Sequence, residues 1–237
     1  MKAIKNPLAL AQQAAREYRA CYGDECISVI LYGSAAGGDF NPKKSDINLL
    51  ILLKSVSVPA LEKSAAIQYR WEKNRFALPL FMDENYIARS LDSFPIEFLS
   101  IKECYTVLVG SDPLAALRID HDNLRLQIER ELKGKQLHLL RAWLHARRSP
   151  HHIERLYAAS MRDFAAVFRA LLQLKGDKAP RDRQALFSAV EKAYGLAGGA
   201  FTSAHTAYRS GDRKRMAAAF GGYAQGIWKL TEIIDKE

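Results

Sequence analysis

Residues 27–53 read ISVILYGSAAGGDFNPKKSDINLLILL, an apolar run, a turn-rich middle and a second apolar run. Ile27 to Tyr32 is β-branched and apolar, which predicts a buried strand, and Asp46 to Leu53 predicts a second. The segment from Gly33 to Ser45 is dense in Gly, Asp, Asn, Pro and Ser, so its middle must be loop. A glycine at a strand end, here Gly33, lets the backbone approach a bulky anion because no Cβ intervenes. Ser34 adds a hydroxyl and a backbone N–H, and a helix starting there would favour phosphate through its free N–H groups and dipole. Residues 46 and 48 lie two apart on a strand, so their side chains share one face. Two oxygen ligands so placed can hold Mg²⁺, which neutralises phosphate charge and activates an attacking hydroxyl.

Leu31-Tyr32-Gly33-Ser34, an eleven-residue spacer and Asp46-Ile47-Asn48-Leu49 together resemble the motif of the nucleotidyltransferase superfamily. That superfamily includes the kanamycin and streptomycin adenylyltransferases, the heads of poly(A)-type polymerases and the minimal bacterial nucleotidyltransferases. Its pattern is an apolar residue, Gly, Gly or Ser, a spacer, then acid–apolar–acid, and the resemblance covers residues 25–110. A third acid is implied on a later strand between apolar residues. Ile96-Glu97-Phe98 fits that form best, and Asp83 less well. The resemblance implies that Gly33 and Ser34 bind the nucleotide; Lys43 and Lys44 lie in the loop between the two motif halves, from which Lys44 is expected to meet phosphate. It implies Asp46, Asn48 and Glu97 as Mg²⁺ ligands, with Asp46 and Glu97 catalytic and an NTP as substrate or ligand. The acceptor hydroxyl would belong to a small molecule, a protein side chain or an RNA end. The sequence departs from the pattern at Asn48, where the family has a carboxylate. An amide oxygen can ligate a cation but brings no charge, so a metal there would be held more weakly.

Each of these residues also has an ordinary structural reading. Gly33-Ser34 can be a strand-to-loop turn, Asp46 a turn acid, Asn48 a hydrogen-bonded amide and Glu97 a solvent-facing strand residue. Lys43 and Lys44 can simply solubilise an exposed turn.

Outward from this centre, residues 7–22 predict an amphipathic helix stopped by Gly23-Asp24. Pro59 to Asn74 predicts another, with proline in its first turn. Phe76 to Met82 predicts a third strand, followed by a break at Asp83-Glu84-Asn85 and a short helix through Ser90. Ile96 to Ile101 predicts a fourth strand, which Tyr105 to Val109 extends or follows. Gly110-Ser111-Asp112-Pro113 is the clearest punctuation, and a boundary just beyond it gives domains 1–118 and 119–237. Residues 121–147, 150–175, 181–195, 198–210 and 212–235 predict helices with short breaks, an antiparallel bundle. The expected fold is α+β, a nucleotidyltransferase-like mixed-sheet head followed by an all-α helical bundle. Trp143, Tyr157, Phe164 and Phe168 recur at helical intervals and read as bundle core. Arg147-Arg148 and His151-His152 carry an Arg-spacer-His likeness to the helical HEPN ribonucleases. Pro150 interrupts it, and the wider pattern is absent.

Composition narrows the function classes. Residues 1–118 carry 14 Lys and Arg against 13 Asp and Glu, whereas residues 119–237 carry 21 against 13. A basic second half suits a solvated Arg-rich bundle, or a surface for RNA, phosphorylated substrates or an acidic partner. There is no apolar run of membrane-spanning length and no signal-peptide pattern at the N-terminus. Three cysteines without metal-ligand spacing suit a reducing compartment, so a cytoplasmic address with no membrane partner is expected. A homo-oligomer is compatible with these features. Three functions follow: Mg²⁺-dependent transfer of a nucleoside monophosphate; nucleotide or partner binding by a catalytically degenerate relative, which Asn48 favours; or, third, RNA binding through the basic helical tail.

Overall fold

The computed structural model describes residues 3–38, 40–196 and 198–237. The chain forms two compact units, Met1–Ile119 and Asp120–Glu237.

The first unit is built on a four-stranded mixed sheet. In chain order its elements are α1 (Pro7–Tyr22), β1 (Cys26–Tyr32), α2 (Ser34–Gly37), β2 (Asn48–Leu53), α3 (Val58–Lys63), α4 (Ala65–Glu72), β3 (Leu80–Met82), α5 (Glu84–Ser90), α6 (Pro95–Glu103) and β4 (Tyr105–Gly110). The strands lie in the order β3-β2-β1-β4. β1 pairs antiparallel with β2 and with β4, and β2 pairs parallel with β3. Val29, Leu31, Leu49 and Ile51 face a core with Ala11, Ala14 and Tyr18 of α1 and Ile67 and Trp71 of α4. Ile30 and Leu50 face the other side, against Ile101 of α6 and Leu114. Leu52 continues that second face against Ile87 of α5 and Phe98 of α6. Burial on both faces is why the two central strands read as continuous apolar runs.

Three expectations change in the structure. Ile96–Ile101 is helical, inside α6. Pro95 sits in the first turn, where its missing N–H costs nothing, and Pro95, Ile96, Phe98, Leu99 and Ile101 are all buried. A helix apolar on most sides loses its 3.6-residue signature, and here the pattern imitates a strand. The helix expected over 59–74 is two, parted at buried Ser64, whose hydroxyl donates to Leu61 O at 3.1 Å. The third strand shrinks to Leu80–Met82, preceded by an isolated Ile47–Phe76 bridge. Pro79 between them has no N–H to offer a ladder. Residues 33–45 hold one helical turn, α2, beyond which Asp39 lies outside the described residues.

The second unit is all helical: α7 (His121–Ala146), α8 (Pro150–Leu174), α9 (Arg183–Ala193), α10 (Ala200–Arg209) and α11 (Arg213–Lys236). Tyr157, Phe164, Phe168, Phe187, Phe201 and Tyr223 are buried at its centre. Phe168 packs on Phe201 with ring centroids 4.7 Å apart, and Trp143 stacks on Phe220 at 3.9 Å. α10 and α11 cross closely, because a Cβ on Gly226 would stand 2.9 Å from both Ala200 Cβ and Phe201 Cε1. Buried Glu191 caps α10, accepting from Thr202 N and Thr202 Oγ1 at 3.0 Å each and from Phe201 N. Among the described residues no helix is long and apolar enough to cross a membrane.

Candidate functional site

The site is assembled where β1 ends and β2 begins. Tyr32, the last residue of β1, lies opposite Asn48, the first of β2, and opposite Tyr105, the first of β4. The chain then turns at Gly33, with φ 76° and ψ −150°. Its N–H donates to Cys104 O at 2.9 Å, and its carbonyl accepts from Ala36 N and Gly37 N at 3.0 Å each. A Cβ built on Gly33 would lie 3.3 Å from Asn48 Nδ2. The glycine is required both by its backbone conformation and by this close approach. Gly33, Ser34 at the start of α2, and Asn48 are therefore neighbours. Burial pushes the phenol of Tyr32, the residue opposite Asn48, above its ordinary pKa.

Lys44 sits in an exposed turn organised by Asn41. Asn41 Oδ1 accepts from Lys43 N at 2.9 Å and Lys44 N at 3.1 Å, and Asn41 N–H donates to Ser45 Oγ at 2.9 Å. That network fixes the backbone and leaves the Lys44 side chain exposed.

Asp46 is engaged by a residue that the sequence did not single out. Arg75 Nε lies 3.6 Å from Asp46 Oδ1, with the arginine side chain 7% exposed and the aspartate 61%. Arg75 Nη1 donates to Pro42 O at 3.0 Å, and Nη2 donates to Ser45 O. The backbone of Arg75 takes part as well, its carbonyl accepting from Ile47 N at 3.0 Å. Arg75 has φ 63°, the left-handed region that residues other than glycine seldom adopt. Such a conformation persists where the surroundings over-determine it, and here both side chain and carbonyl are tied to the 42–47 segment. An arginine after a helix end carries no sequence signature for this role.

Glu97 is in the first turn of α6, not on a strand. Its neighbour Phe98 packs beside Leu52, Ile101 packs beside Leu50 and Ile30, and Cys104 reaches Gly33. α6 thus runs antiparallel to β2, with Glu97 at the level of Leu52. That is four residues, or roughly 13 Å, up the sheet from Asn48 at about 3.3 Å per residue. Asp83 lies beyond the far end of β3, capping α5 by accepting from Tyr86 N at 2.7 Å. The register shifts between the Ile47–Phe76 bridge and Leu50↔Leu80, so the segment flanking Asn48 is Ala77-Leu78-Pro79, with no oxygen on its side chains and Leu78 72% exposed.

The structure thus brings Gly33, Ser34, Asp46 and Asn48 to one end of the sheet and leaves Glu97 and Asp83 at the other. Among the described residues no group of three or more His, Cys, Asp or Glu is arranged to hold a metal ion. One carboxylate already paired with a guanidinium, one amide and a leucine do not make the multi-oxygen, anionic cage that Mg²⁺ takes. The residues present do not fit the metal that the resemblance implies.

No protein-family profile matches the sequence. No curated protein matches it either. Solved structures do. Spectinomycin adenyltransferase AAD(9) from Enterococcus faecialis, solved with ATP and spectinomycin, aligns with a TM-score of 0.54 at 11% identity, over 96% of this chain and 99% of that one. A nucleotidyltransferase-like protein from Exiguobacterium sibiricum 255-15 aligns over 95% of this chain and 80% of that one, at 13% identity and a TM-score of 0.36, too distant to add to the argument. The chain has a nucleotidyltransferase-like fold, an α+β head followed by a helical region.

Proposed function

We propose that this protein binds a nucleoside triphosphate at the Gly33–Asn48 end of its sheet and is a catalytically degenerate member of the nucleotidyltransferase-like fold. The observation that carries the reading is the state of the two motif positions: Asp46 is ion-paired with buried Arg75, and position 48 is an amide in contact with Gly33. Gly33 and Ser34 would receive the phosphates on bare backbone and a hydroxyl, and Lys44 would meet them from the exposed turn. The ATP held by the AAD(9) neighbour supports a nucleotide as the ligand. With Glu97 and Asp83 at the other end of the sheet, the carboxylate left near Asn48 among the motif positions is Asp46, and its pairing with Arg75 weakens it as a base for an acceptor hydroxyl.

The test is calorimetric titration with ATP, GTP, CTP and UTP, followed by incubation of labelled nucleotide with candidate hydroxyl acceptors. Binding of at least one nucleotide without label transfer is expected. A folded protein that binds none of the four removes the reading. A second reading, residual transfer of a nucleoside monophosphate, is favoured by the exposure of the Asp46 carboxylate, and label appearing on an acceptor would establish it.

A further inference from the structure

We propose that Arg75 takes the place of the divalent cation in this head, so that nucleotide binding here is independent of Mg²⁺. The inference rests on the nucleotide-binding reading above and goes beyond it.

The charge around Asp46 is the reason. In a metal-dependent site several carboxylate oxygens converge, and the cation offsets both their charge and that of the phosphates. Here the only carboxylate at the two motif positions is Asp46, and a guanidinium 3.6 Å away offsets it already. That guanidinium is held in place: Nη1 and Nη2 are bonded to Pro42 O and Ser45 O, and the residue's own carbonyl anchors Ile47. It cannot swing aside for a metal without releasing the loop that carries Asp46. The other motif position holds an amide, Asn48, and the segment flanking it, Ala77-Leu78-Pro79, carries no oxygen on its side chains. A divalent cation entering would therefore meet a fixed positive charge and find one half-committed carboxylate. An anion entering would meet an ion pair of zero net charge, the amide of Asn48 and the exposed Lys43 and Lys44 nearby. The site is built to accept phosphate without a metal escort.

The experiment uses the full chain and two probes. Mn²⁺ uptake, read by electron paramagnetic resonance, needs no nucleotide, and calorimetry with the best-binding NTP is run in Mg²⁺ and in EDTA. The wild type is expected to take up no Mn²⁺ and to bind nucleotide with affinities in the two buffers within about threefold of each other. Asp46→Asn, isosteric and uncharged, is expected to hold or raise nucleotide affinity, by up to about tenfold, because it removes a negative charge near the phosphates. Asn48→Asp is expected to weaken metal-free binding and to gain Mn²⁺ uptake. Arg75→Gln, which retains a donor for the loop carbonyls, is expected to gain Mn²⁺ uptake as well. Wild-type Mn²⁺ uptake that disappears in Asp46→Asn overturns the inference whether or not nucleotide binds. Nucleotide binding confined to Mg²⁺ buffer overturns it while leaving the nucleotide-binding reading intact. Loss of all nucleotide binding with the metal results as expected would sink that reading instead.

Discussion

Gly33→Ala is the substitution whose cost follows most directly from the geometry of the site. Gly33 occupies φ 76° and ψ −150°, a region almost confined to glycine. Forcing another residue there costs about 1–3 kcal/mol. The new methyl would also sit 3.3 Å from Asn48 Nδ2, tight enough that the amide must shift by a few tenths of an ångström. Against this, alanine reduces the freedom of the unfolded chain and returns about 0.4–1 kcal/mol. The net expectation is a destabilisation of about 1–2 kcal/mol, read as faster hydrogen exchange of β1 and β2 amides and a lower urea midpoint. Gly134→Ala in α7 is the control. A Cβ there meets nothing, and the helical backbone favours alanine, so a gain of about 0.5–1 kcal/mol is expected. A Gly33→Ala protein within about 0.5 kcal/mol of wild type would refute the reasoning, because neither the backbone region nor the Asn48 contact would then be as described.

Further outcomes follow from the helical unit. Glu191→Ala removes the carboxylate that caps α10 through three hydrogen bonds, and should cost about 2 kcal/mol in urea unfolding. Gly226→Ala should destabilise too, since the added methyl meets Ala200 and Phe201 at 2.9 Å, whereas Gly222→Ala, with open space around it, should not. His205 has its pKa lowered, first by burial and then by the neighbouring Arg183 and Arg209, with Asp182 opposing them. Its ring also packs on Phe187, and Nδ1 bonds Gln184 Oε1. A depressed imidazole pKa means that the unfolded state takes up the proton first. This contribution to stability is full above the ordinary value of 6.5 and is lost as pH falls below it. Thermal midpoints measured from pH 7.5 to 5 should therefore fall less in His205→Gln than in wild type.

The fold was legible where the chain follows simple periodicities. α1, β1 and the five tail helices lie close to the predicted spans, because their caps and apolar faces are local properties. Legibility ended at α6. A nine-residue helix buried against Ile30, Leu50 and Leu52 exposes only a narrow side, Glu97, Ser100 and Glu103, too short to set its period, and the order Ile96-Glu97-Phe98 passes for alternation. That error carried Glu97 into the proposed site. Gly33, Ser34, Asp46 and Asn48 were legible as a group because strand ends and side-chain alternation fix their neighbourhood. Arg75 was not. Its importance lies in a positive φ and in partners 28 to 33 residues away along the chain, which no local pattern of charge or hydropathy records.

The contact between Gly33 and Asn48 also bears on how such a head changes over generations. Asparagine and aspartate have the same shape, and their codons differ by a single base, so position 48 can alternate between amide and acid without rebuilding β2. Arg75 is less free to change, because its side chain and its carbonyl both tie the segment that bears Asp46. A lineage can therefore drift into the neutral state by one small step. The way back is the same single step, which returns a second carboxylate to the face that bears Asp46.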